Sequence, residues 1–488
     1  MEGEGKIATA CDCIKKAADL LEEGSDDWQN LTLKAFRLLV LSGNYKEAEA
    51  YPKKLEKYPS WERDETVGWF YYRMTRYQEA RASYQEALQK IPAAENLQCI
   101  LIENALGNIE LHEGEAEAAV ARFRKTLGWE AKLCPEDRAK VNNNNLGLSL
   151  SLIGQHDEAI GFFTEKLATL APEKVAERIS LLNGLGFSCI RASRYEETIL
   201  YLKQAVHLAE DSGALNALFS AMGNLLTALL KENRYAEGLS ILQKVVSYQR
   251  RFGNRRDVAH NLLRQSTVYL MLGMGEFARE CIDEGLNISQ ELSEGLLVGW
   301  FHLLRAYWER DFGSFQGSEE FFIKVEGQAA KEEDDELRSW AHYGLAEIAY
   351  DQGKIDKCRA HLEKVKYQGK DHEFGTRLRL LQAKVSTVPD PSPLYAELEA
   401  ECLKIHYREL LWEVYQGWAQ SCLKRKKKDE ALGLFDKGWK IVQEICAVLP
   451  EEYQGRYRNL GGRKKLYEQR EAARSPNKGG FFAKLGFG

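Results

Sequence analysis

The chain is predicted to be all-α, a solenoid of about eleven antiparallel helix pairs, and three observations predict it. A short turn recurs along most of the 488 residues, and from residue 114 its first position falls at 114, 154, 193, 233, 273, 313 and 353, spacings of 40, 39, 40, 40, 40 and 40. A fixed period of this size marks stacked repeats. The fifth residue after each turn start is small, and the residue four further on is large and apolar in nine of ten repeats. Only 10 prolines stand against 29% charged residues, a composition rich in helix formers. A chain this long exceeds one compact core, so growth by stacking is the economical architecture.

Residues 5 to 23 read as an amphipathic helix that caps the array, which assigns 1–27 to an N-terminal capping helix and 28–448 to the repeats. The turns run Gly43-Asn-Tyr-Lys-Glu-Ala48, Thr75-Arg-Tyr-Gln-Glu-Ala80, Gly114 to Ala119, Gly154 to Ala159, Ser193 to Thr198 and Asn233 to Gly238. They continue as Gly273 to Ala278, Gly313 to Ser318, Gly353 to Cys358 and Lys426 to Ala431. Two antiparallel helices joined so tightly must approach closely at their first crossing, which explains the small residue. Four residues on, Tyr84, Phe123, Phe163, Leu202, Leu242, Ile282, Phe322, Leu362 and Phe435 fill the space between a pair and its neighbour. Pro52 is the exception and predicts that the first pair is either a cap or broken at this point. The 73 residues between 353 and 426 leave room for one degenerate pair that turns near Val388-Pro-Asp-Pro-Ser-Pro393.

Beyond Pro450, residues 449–472 read as a C-terminal capping helix. Residues 473–488 form a flexible Gly/Phe-rich tail or a docking element carrying Phe481, Phe482, Leu485 and Phe487, residues that a disordered segment usually lacks. The basic run Lys424-Arg-Lys-Lys-Lys428 coincides with the last turn and reads as a solvated turn rather than an anion site. Lys331-Glu-Glu-Asp-Asp-Glu336 reads as a charged loop that caps the following helix.

The Gly-x-Tyr-x-Glu-Ala turn, the small-then-large spacing, and Leu106-Gly107, Leu146-Gly147, Leu185-Gly186 and Leu345-Ala346 in the preceding helices resemble the tetratricopeptide repeat family over roughly residues 28 to 448. The resemblance implies a right-handed superhelical solenoid. The unit is longer than the common one of about 34 residues. It is similar to the longer repeats of bacterial signalling regulators and of kinesin-light-chain-like adaptors. HEAT and armadillo arrays share the period but lack this turn.

The resemblance further implies that residues ten and six positions before each turn line a concave groove. Ten before the turn stand Asn104, Asn144 and Asn183, then Gly223, with Asn108, Asn145 and Asn224 close by. An asparagine amide both donates and accepts, so a row of them suits the backbone of an extended peptide. His112, Arg191 and Lys231 add a basic wall, which Asp311 and Asp351 replace in later repeats. Tyr307 and Tyr343 are candidate later anchors, while Trp300 and Trp340 read as core.

The expected function is a non-enzymatic scaffold or adaptor that binds an extended peptide or helix of a partner protein. The alternatives are a sensory module that controls an associated kinase, ATPase or transcription factor, and a structural subunit of a larger assembly. No phosphate loop, His-Glu-x-x-His, Gly-x-Ser-x-Gly or CxxC is present, so no catalytic, cofactor or metal residue is assigned. Cys11-x-Cys13 supplies too few ligands for a structural zinc. The remaining cysteines read as small buried side chains in a reducing compartment. A net charge of −6 without a basic stripe argues against nucleic acid, and no run of 18 apolar residues predicts membrane insertion. A cytoplasmic location is expected.

Overall fold

The computed structural model describes residues 2–92, 96–138, 141, 144–366 and 372–474. Among these residues there is no strand, and helices follow one another in consecutive packed pairs. Contacts divide the chain into two compact units, Met1–Ala192 and Ser193–Gly488.

In the first unit, helix Glu2–Ala18 packs on Asp26–Leu41, whose start is capped by the Ser25 hydroxyl accepting the Trp28 N–H. The partner of Asp26–Leu41 is split into two single turns, Tyr45–Ala48 and Tyr51–Lys54, with Pro52 in the first turn of the second piece. Proline lacks the N–H that would continue the helix through this point. Three pairs follow: Trp61–Arg73 with Tyr77–Lys90, Asn96–His112 with Ala116–Glu130, and Asn144–Leu152 with His156–Thr169. Val175–Arg191 closes the unit.

The second unit opens with Tyr195–Ser212 and continues with the pairs Leu215–Lys231 and Tyr235–Phe252, Arg255–Leu272 and Gly275–Glu291, Gly295–Phe312 and Phe315–Lys331, and Asp335–Asp351 and Ile355–Leu362. The degenerate pair is His372–Lys384 with Ser392–Lys404, joined through residues 385–391, and Arg408–Lys424 with Lys428–Ala447 is the last. Glu451–Arg458 and Gly461–Arg474 end the described chain. As the acidic loop predicts, the Asp334 side chain accepts the Leu337 N–H and caps Asp335–Asp351.

The recurring turn is a left-handed stop. Gly43, Thr75, Gly114, Gly154, Ser193, Asn233, Gly273, Gly353 and Lys426 all have positive φ; Gly313, at −116°, is the exception. The residue after the turn start donates its N–H to the carbonyl five positions back, as in Arg76 to Tyr71 at 2.9 Å, Gln155 to Leu150 at 2.8 Å and Lys354 to Ala349 at 2.8 Å. This bond satisfies a carbonyl that the helix end would otherwise leave unpaired.

The close approach that the small residues require is visible in the packing. Ala48, Ala80, Ala119, Ala159, Thr198, Ala278, Ser318, Cys358 and Ala431 are all 0% exposed. The large apolar residue one turn later is buried in every case, and in two repeats the glycine of the Leu-Gly pair makes room for it. A Cβ on Gly107 would lie 2.7 Å from Phe123, and one on Gly147 would lie 2.4 Å from Phe163.

The second unit closes on itself. One core joins Leu226, Tyr235, Leu242 and Tyr269 of its early pairs to Leu410, Phe435, Tyr457 and Leu466 of its late ones. At the centre of this contact the Glu409 carboxylate accepts from Tyr235 Oη at 3.0 Å, Tyr457 Oη at 2.7 Å, Trp412 Nε1 at 3.1 Å and Arg463 Nη2 at 3.3 Å. Arg463 also donates to the Met271 and Tyr457 carbonyls and lies 3.7 Å over the Tyr457 ring. Burial raises the Glu409 pKa, but Arg463 and the three neutral donors outweigh it and hold the carboxyl below its ordinary value.

Two outcomes are expected in urea denaturation. Gly147→Ala should destabilise the protein by about 1–3 kcal/mol, because a methyl group at 2.4 Å from a fully buried ring forces repacking. Glu409→Ala should cost about 3–5 kcal/mol, because it strands Arg463 and two tyrosine hydroxyls in the core.

Candidate binding surfaces

In the first unit, the asparagine row is tied into its own scaffold. Asn104 is buried and its Oδ1 accepts from Thr126 Oγ1 at 2.7 Å. Asn144, also buried, donates from Nδ2 to Ser180 Oγ at 3.0 Å. Half-buried Asn145 donates to Asn108 Oδ1 at 2.5 Å, so these two amides link adjacent first helices. Asn183 is half-buried, while His112 and Arg191 are exposed near the ends of their helices. His112 stacks on Tyr77 at 5.2 Å and shares a 2.9 Å hydrogen bond with Tyr72. The structure thus brings Asn108 with Asn145, and sets His112 in a separate aromatic cluster.

In the second unit, a strip of charged and aromatic side chains runs along the first helices of successive pairs. Glu347 is its hub. Its carboxylate accepts from Tyr343 Oη at 3.2 Å and from Arg310 Nη1 at 3.3 Å, with the Tyr307 hydroxyl nearby. Arg310 also donates to Asp311 at 2.9 Å and lies 5.0 Å over the Tyr307 ring. Tyr343 is buried against Trp340 and Phe374, and Glu347 satisfies its hydroxyl in place of water. Trp300 and Trp340 pack against the core, whereas Asp351 stands exposed at its helix end.

The strip continues into the degenerate pair. Arg377 donates to Tyr407 Oη at 3.0 and 2.6 Å and approaches Glu413 at 3.9 Å, and Lys384 reaches Glu413 at the same distance. Lys231, 142 residues before Glu373 in sequence, bonds to it and lies 5.8 Å over the Tyr407 ring, so the strip meets itself where the unit closes. On the same helix as Lys231, Asn224 is half-buried and a Cβ on Gly223 would meet nothing within 4 Å.

The electrostatics set this strip apart from the latch at Glu409. Arg310, Glu347, Arg377 and Glu413 keep 24%, 18%, 25% and 24% of their side-chain exposure, enough to be reached and too little to be solvated. Burial lifts the Glu347 pKa above its ordinary value, and Arg310 and Arg377 only partly offset this. Burial likewise drives the Tyr307 and Tyr343 hydroxyls far up. Arg310 stays charged despite its desolvation because Asp311 and Glu347 flank it.

Sequence reasoning named Tyr307, Tyr343, Lys231 and Asp311 but missed Arg310, Glu347, Arg377, Tyr407 and Glu413. Glu347 was accessible, since it stands six residues before the turn at Gly353, the register of Asn108 and Tyr307. Arg377 belongs to the degenerate pair, which offers no turn from which to count, and Tyr407 stands just before the first helix of the last pair. The run Lys424–Lys428 is the last turn, and two of its five charges are engaged: Lys427 pairs with Glu430 at 3.0 Å and Arg425 with Asp390. Phe481, Phe482, Leu485 and Phe487 lie outside the described residues. No group of three or more metal-ligating side chains and no helix long and apolar enough to cross a membrane occurs among the described residues.

Because Glu347 is raised when folded, the native protein should lose stability relative to Glu347→Gln as pH rises from the ordinary carboxyl value of 4.5 through the higher folded one. Paired denaturation curves at pH 4 to 8 measure this, and the difference should be flat below that window.

Comparison with known proteins agrees with the repeat type. The tetratricopeptide repeat family model matches residues 339–364, most of one first helix, its turn and its second helix. Among solved structures, the chain is similar to a Rap protein complexed with competence and sporulation factor, at 12% identity over 78% of this chain and 95% of that one, with a TM-score of 0.44. It is also similar to the apo form of RapI, at 11% identity over 82% and 98%, TM-score 0.46. Aspartyl phosphate phosphatase F from Bacillus subtilis matches at 14% identity over 71% and 95%, TM-score 0.42. No curated protein matches the chain by sequence.

Proposed function

We propose that this tetratricopeptide-type array is a binding protein without catalytic activity, which holds an extended peptide or helix of a partner protein against its first helices in the cytoplasm. The observation that carries this reading is the strip around Glu347 and Arg377. Four charged side chains there keep a quarter or less of their exposure, beside Tyr307 and Tyr407. Desolvating charges is costly, and a surface that retains them half-buried is suited to exchanging some of those bonds for bonds to a partner. Alternating charge and aromatic faces favour a polypeptide, which supplies amides, charges and apolar groups at short intervals.

The amides of Asn108, Asn145, Asn183 and Asn224 extend the same chemistry along other first helices. Each hydrogen bond to a partner backbone would add about 0.5–1.5 kcal/mol. A regulatory reading, in which partner binding alters an associated kinase, ATPase or transcription factor, draws support from the closed second unit, whose strip lies next to the contact that closes it. A structural role in a larger assembly would instead use the second helices.

The test is quantitative affinity capture from native extract with four full chains: native, Arg310→Ala with Arg377→Ala, Asn145→Ala with Asn183→Ala, and Leu200→Ser. A partner held by the strip should fall at least about tenfold with the arginine variant and remain with Leu200→Ser, an exposed second-helix control that is 59% exposed. An unchanged partner list from folded variants would move binding to the second helices.

A further inference from the structure

A cleft of about 560 Å³ opens on the second-helix side of the second unit, between Tyr235–Phe252 and Gly275–Glu291, with Arg255–Leu272 as its floor. Its size falls within the range that receives a compact ligand group. Tyr269 and Phe277 stack at 5.5 Å inside it, and Phe277 is 44% exposed. Gln243 and Gln265 both donate to the Tyr269 hydroxyl, at 3.2 and 3.3 Å, which fixes that ring in place. At the lip, Glu284 is held by Arg250 at 2.6 Å, whereas exposed Glu280 has no cation bonded to it among the described residues. The cleft therefore offers an apolar aromatic floor, with the Glu280 carboxylate and the Arg251 guanidinium also in its lining.

The last described helix, Gly461–Arg474, is tethered beside it. Arg463 donates to the Met271 carbonyl at 3.0 Å, on the very helix that floors the cleft. From Arg463 the helix carries the chain about 17 Å to Arg474, at 1.5 Å per residue. Seven further residues to Phe481 reach up to about 23 Å and thirteen to Phe487 up to about 43 Å. That span is enough to return to Tyr269. The segment carries Phe481, Phe482, Leu485 and Phe487 around Lys484, a composition complementary to the floor and to Glu280.

We infer that the cleft is an intramolecular docking site for residues 475–488, with the phenylalanines of that segment against Tyr269 and Phe277 and Lys484 beside Glu280. Linkage through a short tether gives the segment a high effective concentration, so it outcompetes free ligands of similar chemistry. The cleft then opens to an outside partner only when that partner's aromatic segment exceeds this advantage.

The experiment uses a fluorescent peptide of residues 475–488 and anisotropy on two full chains, native and Phe481→Ser/Phe482→Ser/Phe487→Ser. The peptide should bind the triple variant at least about tenfold more tightly than the native chain, whose cleft is filled. Adding Phe277→Ala to the triple variant should weaken binding about tenfold, the effect of removing one apolar anchor. Partly exposed Phe277 tolerates this change, and an unchanged Tm verifies it. No binding to the triple variant overturns the inference. So does equal binding to both chains, which assigns the cleft to a second copy or another partner, and so does indifference to Phe277→Ala.

Discussion

The distance between two helices at their first crossing after the turn governs everything else in this protein. A left-handed residue stops the first helix within one position, and the second helix starts at once, so the pair has no slack in which to accommodate a side chain larger than Ala, Ser, Thr or Cys at the crossing. With the crossing fixed, the next turn of the second helix must project its large residue into a defined space. In two repeats that space exists because a glycine faces it. The apolar contacts supply the stability, but the turn decides which contacts are possible. An array of this kind is stabilised by each pair and by its neighbours, so errors at one crossing stay local until they reach a neighbouring interface.

The second unit adds a contact that nearest-neighbour stacking alone would not give. Glu409 and Glu347 have similar company, each with two tyrosines and an arginine, yet burial prevails at one and pairing at the other. Glu409 draws its partners from four different helices and is enclosed, so its carboxylate is held charged and the early and late pairs are bound together. Glu347 draws its hydrogen-bond partners from its own helix and the preceding first helix, and its carboxyl is shifted upward. One arrangement locks a fold and the other leaves charge incompletely compensated at a reachable face. A buried ion network is weak support for stability in general, but removing one member of either would leave the others desolvated.

Much of the fold was legible because the repeat imposes the same steric demand ten times. Ala80, Ala119, Ala159 and Ala431 announce the crossing, Pro52 announces the break in the first pair, and the proline-rich stretch from Val388 marks the degenerate turn. The candidate surface was only partly legible. Counting back from the turn finds Asn108, Tyr307 and Tyr343, but it cannot tell that Asn104 is committed to Thr126, because a buried and a reachable amide share one register. Nor does periodicity reveal that Lys231 meets Glu373 or that Tyr235 meets Glu409. Those partners are separated by 142 and 174 residues, and the curvature that joins them is a small rotation per pair, accumulated over several pairs, that no single position encodes.

The first helices of the second unit are long and uniform, mostly 17 or 18 residues. At 1.5 Å per residue each is a rod of about 26 Å, and packed helices stand about 8–10 Å apart. An extended chain laid across them advances about 3.3 Å per residue, so it steps from one rod to the next every third residue. The surface therefore has a ruler built into it: positions one step apart on a crossing chain face equivalent points on successive helices, while those between face the gaps. Inserting a single residue into such a chain would shift every subsequent contact from rod to gap, a frameshift written in side chains rather than in codons.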